Sequence, residues 1–255
     1  MKCTTPQISW HSMNPVFSVD FHHNSPIYRL VTSSLEPDVK IWQILLDTES
    51  TVKVEFLSNL KRHHVAVNIV RFSPNGEFLA SGDVERNIFL WKLCEEGTRA
   101  PDIFLEEDEL PNKETWLPEK KTLRVRHCDE VFDLCWSPDS TKIASVSVDR
   151  SVIITDIEKG MQLYNLNDFK RCYAQGVTWD PLDQYLACTG PDRCLRVYDV
   201  ETFNRPTIVT KATLPDLFSK NDSTLETKLF HDESSILTFF RRLAFSPDGN
   251  LLAVP

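Results

Sequence analysis

Val67-Asn68-Ile69-Val70-Arg71-Phe72-Ser73-Pro74-Asn75-Gly76-Glu77-Phe78-Leu79-Ala80-Ser81, followed by Ile88-Phe89-Leu90-Trp91, is the stretch on which the fold turns. Its first run alternates in period two, as a strand does when its faces meet different surroundings. Proline then presets φ and glycine tolerates the left-handed region, so Ser73-Pro74-Asn75-Gly76 is a tight turn. A second short apolar strand, another turn and a third strand follow. Such a unit cannot bury both its faces alone, so its meaning depends on whether it recurs.

It recurs. The third copy runs over 131–136, Ser137-Pro138-Asp139, 143–145 and 152–157. The fourth has Val177-Thr178-Trp179, Asp180-Pro181, 185–187 and 195–200. A looser first copy covers 16–21, 30–33 and 39–42, and a fifth starts at Phe239-Phe240 and passes through Phe245-Ser246-Pro247-Asp248-Gly249 to 251–255. Outer strands are expected at 54–60, 122–125 and 161–166. Four antiparallel strands per unit make a propeller blade. The expected fold is therefore all-β, a single propeller domain over 1–255, with repeats at 11–60, 61–125, 126–166, 167–229 and a partial 230–255. The aromatic that closes the first strand falls at Phe21, Phe72, Trp136, Trp179 and Phe245, at intervals of 51, 64, 43 and 66. The 43 suits a blade repeat of about 40–45 residues. The longer intervals predict surface insertions, an acidic one at 95–119 and a polar one at 202–227.

A second ruler agrees. Six residues before Trp42, Trp91, Thr155 and Tyr198 stand Glu36, Glu85, Asp149 and Asp192, all acidic. Nine before Phe72 and Trp136 stand His63 and His127. The repeats resemble WD40 repeats over nearly the whole chain. In that family an aspartate in a tight turn is hydrogen-bonded by a histidine, which meets a Ser or Thr and then the Trp. The resemblance implies a structural relay of Asp149, His127 and Ser145 in the third blade, where Thr155 stands for the Trp. It implies Glu85, His63, Ser81 and Trp91 in the second, and Asp192 in a fourth whose histidine position holds Lys170.

A narrower likeness lies in less common segments: Ile8-Ser9-Trp10-His11 with Pro15-Val16-Phe17-Ser18-Val19-Asp20-Phe21; Val54-Glu55-Phe56-Leu57-Ser58-Asn59-Leu60 with Arg62-His63; Gln175-Gly176-Val177-Thr178-Trp179-Asp180-Pro181; and Phe230-His231-Asp232 before Phe239-Phe240-Arg241-Arg242-Leu243. Together they resemble the family of the WD-repeat subunit of chromatin assembly factor 1. The HIRA-type histone chaperones share the Trp-His start and the Thr-Trp-Asp-Pro phrase, while Phe56-Leu57-Ser58-Asn59-Leu60 and Phe-Phe-Arg-Arg favour the former. Departures are the 7 glycines in 255 residues, Glu36 and Glu85 in place of Asp, and Lys170 in place of His.

The resemblance implies a propeller of about seven blades, so the five copies are expected to be an incomplete ring, marginal and aggregation-prone alone. It implies a non-catalytic nuclear scaffold that holds the large subunit of chromatin assembly factor 1. Core histones would be delivered during replication and repair, and other histone chaperones would be met through a C-terminal tail beyond these residues. The alternatives are a HIRA-like chaperone of replication-independent deposition and a generic WD40 adaptor.

Composition sets limits on this reading. A net charge of −9 disfavours strong nucleic-acid binding, which needs clustered Lys and Arg. No apolar run approaches ~18 residues, so no membrane span is expected. Seven cysteines without a C-x-x-C pair point to a reducing compartment rather than a disulfide framework. There is no G-x-S-x-G, phosphate loop or H-E-x-x-H, so no catalytic, cofactor or metal residue is assigned. The candidate partner-binding residues are the acidic run Glu106, Glu107, Asp108 and Glu109, which otherwise reads as a solvated charge run, and Trp116 in the same insertion as an exposed aromatic anchor. Phe239, Phe240, Arg241 and Arg242 are candidates for a peptide-binding edge, or else ordinary blade structure.

Overall fold

The computed structural model describes residues 11–23, 25–46, 52–94, 110–119, 123, 125, 127–170, 172–215, 224–228 and 240–255. Among them every regular element is a strand. The first sheet is β1 (Val16–Phe21), β2 (Tyr28–Ser34), β3 (Val39–Leu46) and β4 (Val52–Leu60), in that spatial order. The second is β5 (Val67–Phe72), β6 (Phe78–Asp83), β7 (Ile88–Leu93) and β8 (Trp116–Pro118). The third is β9 (Val131–Trp136), β10 (Lys142–Ser147), β11 (Val152–Asp156) and β12 (Met161–Leu166). The fourth is β13 (Gly176–Trp179), β14 (Tyr185–Thr189), β15 (Leu195–Asp199) and β16 (Thr207–Val209). Two hairpins remain: β17 (Lys211–Pro215) with β18 (Thr224–Lys228), and β19 (Ala244–Phe245) with β20 (Leu252–Ala253).

Register explains the rulers in the sequence. Phe21 pairs with Leu30, Phe72 with Leu79, Trp136 with Ile143 and Trp179 with Leu186. The same second-strand residues face Trp42, Trp91, Thr155 and Tyr198 on the third strand. Each sheet thus carries its large residues at one level. The proline turns repeat as closely: Gly76, Ser140, Asp183 and Gly249 each donate their backbone N–H to the carbonyl three residues back. All four sit at positive φ, between 58° and 76°.

The core is a series of layers between consecutive sheets. Ile41, Leu60, Val70, Leu79 and Trp91 fill the first interface. Ile69, Leu90, Val131, Leu134 and Trp136 fill the second. Val152, Ile154, Phe169, Trp179 and Tyr198 fill the third. Burying each such side chain is worth ~1.5–3 kcal/mol, and each blade depends on its neighbours for it. Polar side chains also cross from blade to blade: the N–H of Phe72 donates to Asp20 at 2.8 Å, that of Val177 to Asp133 at 3.0 Å, and the Asn68 amide to the Val131 carbonyl at 2.9 Å. The array is open. No described strand of the last hairpin pairs with the first sheet, and Val19 (55%), Phe21 (53%), Tyr28 (63%) and Leu251 (72%) are exposed.

Two expectations about outer strands need correction. The outer strand of the second sheet is Trp116–Pro118, paired with β7 through Leu93↔Trp116, rather than 122–125. Leu123 is instead buried in the layer between the second and third sheets, with Val125 partly buried against it. The polar insertion at 202–227 also contains strands. The β-branched run Thr207-Ile208-Val209 closes the fourth sheet, and β17 pairs with β18 beyond it.

Candidate functional site

The most organised polar chemistry lies inside the blades. In the second blade, Nδ1 of His63 donates to Asp83 at 2.7 Å. Nε2 of His63 lies 2.7 Å from the Ser81 hydroxyl, which accepts the Trp91 indole N–H at 2.8 Å. A carboxylate only accepts, which assigns the His63 proton to Nδ1. Donation then runs one way, from Trp91 to Ser81 to His63 to Asp83. A neutral imidazole satisfies every buried group on this path, as burial requires. Asp83 also accepts from the N–H and side-chain amide of Asn87 at 2.8 and 3.0 Å. Burial alone would raise its pKa, but the bonds from His63 and Asn87 outweigh it and the net shift is downward.

The sequence ruler points to Glu85 here, and the structure replaces it with Asp83. Glu85, two residues further along the chain, is exposed, and it is Asp83 that meets the histidine. The third blade keeps the residues the ruler names. His127 Nδ1 lies 3.2 Å from Asp149 and 3.0 Å from Ser151, and Nε2 lies 2.8 Å from Ser145. Asp149 is held down in pKa by His127, Ser151 and the Cys128 N–H, against the opposing effect of burial. The first blade holds a relay that the nine-residue count misses. His11 bonds Glu36 at 3.2 Å and Thr32 at 2.9 Å, and Trp42 donates to Thr32 at 2.9 Å. His11 is ten residues before Phe21, so one residue of slack in the ruler would have found it.

In the fourth blade Cys188 and Tyr198 take the Ser and Trp positions, and Lys170 is exposed. Asp192 is paired instead with Arg196, at 3.2 and 2.5 Å, whose guanidinium lies 4.1 Å from the Phe169 ring centre. The Tyr198 hydroxyl donates to Asp168 at 3.2 Å. Ser–His–Asp geometry in these blades does not make a nucleophile. Ser81 and Ser145 are 0% exposed, and a nucleophile must reach its substrate. Among the described residues, no group of three His, Cys, Asp or Glu side chains is arranged to hold a metal ion.

The partner-binding candidates scatter. Glu106, Glu107, Asp108, Glu109 and Phe239 lie outside the described residues. Trp116 is not an exposed anchor: it is 5% exposed and packs in the layer between the first two sheets. The insertion returns against the first sheet. The N–H groups of Lys113 and Glu114 donate to the Leu57 carbonyl at 2.7 and 3.2 Å, and Arg29 clamps Glu114 at 2.6–3.0 Å. Glu114 in turn accepts the Trp116 indole at 3.2 Å. Sequence reading missed the Arg29–Glu114 pair because its members lie 85 residues apart.

Arg242 likewise turns inward, to the axis where the innermost strands meet. It donates to the carbonyls of Phe17 and Asn68 at 2.5 and 2.7 Å, and its Nε lies 3.5 Å from Asp133. Burial pushes Asp133 up and Arg242 down in pKa, each opposed by the charge of the other. Its guanidinium also covers the Phe240 ring at 4.3 Å, and that ring meets Phe17 and Phe132, each at 5.8 Å. The Arg241 carbonyl accepts from Thr189 at 3.1 Å and lies where a Cβ on Gly176 would fall, so glycine is required there. Phe240 and Arg242 are therefore bound into blade packing and the axis rather than displayed.

The profile of the CAF1B/HIR1 beta-propeller domain matches residues 1–255. The chain belongs to the CAF1B/HIR1 β-propeller family. It is 44% identical, over its whole length, to the CAF1B subunit of chromatin assembly factor 1 from Gallus gallus, and 42% identical to that of Mus musculus. It is 29% identical, over 96% of its length, to protein HIR1 of Kluyveromyces lactis. The chain spans 44% of the length of the two vertebrate relatives and 27% of that HIR1 protein. Within this CAF1B/HIR1-type propeller, three described blades keep a histidine relay and the fourth substitutes an Asp192–Arg196 ion pair.

Proposed function

We propose that this chain is the docking platform of a chromatin assembly subunit. It works in the nucleus without catalysis, holding the large subunit of chromatin assembly factor 1 and aiding the delivery of core histones during replication and repair. The observation that carries the reading is the identity over the whole chain, 42–44% to the two vertebrate chromatin assembly factor 1 relatives, against 27–31% to HIR1 proteins. The structure supports a binding role in two ways. The histidine relays of the second and third blades are each buried within one blade, and adjacent blades are tied by side-chain bonds into a continuous frame. Such a frame presents turns and insertions to partners without needing chemistry.

The test is affinity purification of the tagged full-length protein from nuclear extract, followed by mass spectrometry. Recovery of the large subunit together with core histones is expected. Recovery of neither overturns the reading, and a replication-independent deposition complex in their place assigns the chain to the HIR1 branch.

A further inference from the structure

Between the second and third sheets the surface opens into a cavity of about 380 Å³. Its apolar floor is Phe78, Leu90 and Ile157, which border the layer between those sheets. Its rim carries four carboxylates: Glu77 and Asp139 from the two proline turns, Glu119 just after β8, and Glu158 from the turn after β11. The walls are tied together. The Asn75 N–H donates to Ser140 at 3.0 Å across the two turns, and Trp136 donates to the Arg71 carbonyl at 3.0 Å while stacking on Phe78 at 6.4 Å. A groove already formed costs little to organise on binding.

The rim charge is largely uncompensated by described groups. Lys142 lies 3.9 Å from Asp139, and Lys92 sits 5.2 Å from the Phe78 ring centre. No described cation is within ion-pair distance of Glu77, Glu119 or Glu158. Lys120 and Lys121 follow Glu119 in the sequence and lie outside the described residues.

We propose that this groove binds a short cationic peptide segment of a partner protein, with one large apolar side chain on the floor and flanking Lys or Arg side chains on the rim. A cavity of a few hundred Å³ suits a side-chain anchor. The carboxylates select cations and repel phosphate, which disfavours nucleic acid. A second copy of this chain, with its net charge of −9, would bring like charge to an acidic rim. The inference does not depend on the chromatin reading, because it rests on the chemistry of the groove alone.

The test uses the full-length protein and a fluorescein-labelled peptide bearing one leucine between paired lysines and arginines, followed by anisotropy at low salt. Saturable binding is expected. It should weaken about tenfold or more, ~1.4 kcal/mol, in a Glu77→Lys, Glu158→Lys double variant. It should weaken comparably when the peptide's leucine is replaced by alanine, an arm that needs no altered protein. A peptide with glutamates around the leucine should regain binding to the double variant only. Equal binding of the leucine and alanine peptides overturns the proposal, as does unchanged affinity in a double variant whose melting temperature is unaltered. A change of sedimentation from dimer to monomer on substitution also overturns it, by assigning the groove to a second copy.

Discussion

Replacing Asp83 with alanine should destabilise the second blade severely, while replacing Glu85, two residues away, should do almost nothing. Asp83 accepts three hydrogen bonds, from Nδ1 of His63 at 2.7 Å and from the N–H and side-chain amide of Asn87. The His63 and Asp83 side chains are both fully buried. Hydrogen bonds to a charged group contribute ~1.5–3 kcal/mol, and a buried donor left without a partner costs about 1–3 kcal/mol. Removing one member of a buried pair costs ~3–5 kcal/mol, and this is the expected loss for Asp83→Ala. Glu85 is exposed, so Glu85→Ala should stay within about 0.5 kcal/mol. Urea unfolding of the full-length protein, followed by tryptophan fluorescence, measures both losses against the wild type. The pH dependence has a definite sign. The folded pKa of Asp83 lies below its unfolded value, so the stabilisation is complete above that unfolded value, about 3.9. It is lost as pH falls through the folded value. The gap between the wild type and Asp83→Asn should therefore narrow as the solution is acidified below about pH 4. Equal losses for Asp83→Ala and Glu85→Ala would refute the assignment, as would a gap that does not change on acidification.

Other outcomes follow from the same geometry. His11→Ala should cost about 1–3 kcal/mol in urea unfolding, since it removes the His11 bonds to the buried Thr32 hydroxyl, which keeps the Trp42 indole, and to Glu36, which keeps Asn14. Arg86, exposed and at φ 75°, sits in the left-handed region without being glycine, so Arg86→Gly should raise stability by ~0.5–1 kcal/mol in the same assay. Maleimide labelling should modify exposed Cys128 rapidly and spare Cys188, whose thiol is buried and pushed well up in pKa. Rapid labelling of Cys188 in native protein would contradict its place in the layer between the third and fourth sheets.

Within-blade features could be read in the sequence because they recur at fixed spacing. The proline turns, the closing aromatics and the relay residues of the third blade all follow from antiparallel strands paired in the same register and joined by tight turns. Spacing fails where a turn offers two carboxylates. Asp83 and Glu85 sit two residues apart in one turn, and only the direction in which each side chain points separates the buried acceptor from the solvated one. It fails again at His11, where one additional residue in the connection shifts the count.

Contacts between blades left no such trace. Trp116 reads as an exposed residue of an acidic insertion, yet it is buried, its indole bonded to the Glu114 that Arg29, 85 residues earlier, clamps. Arg242 reads as part of a peptide-binding edge or of ordinary blade structure, and the sequence gives no sign that it spans the axis to Phe17, Asn68 and Asp133.

The order of residues along this chain was enough to establish a repeated four-stranded unit and the side chains at each level of it. A strand's alternation and a turn's dihedral demands are local, and they are written in neighbouring residues. Which aromatic is covered, where Arg242 points and where an acidic groove opens were settled only when the blades packed together. Those outcomes depend on distances between surfaces far apart in sequence, and no local pattern encodes them.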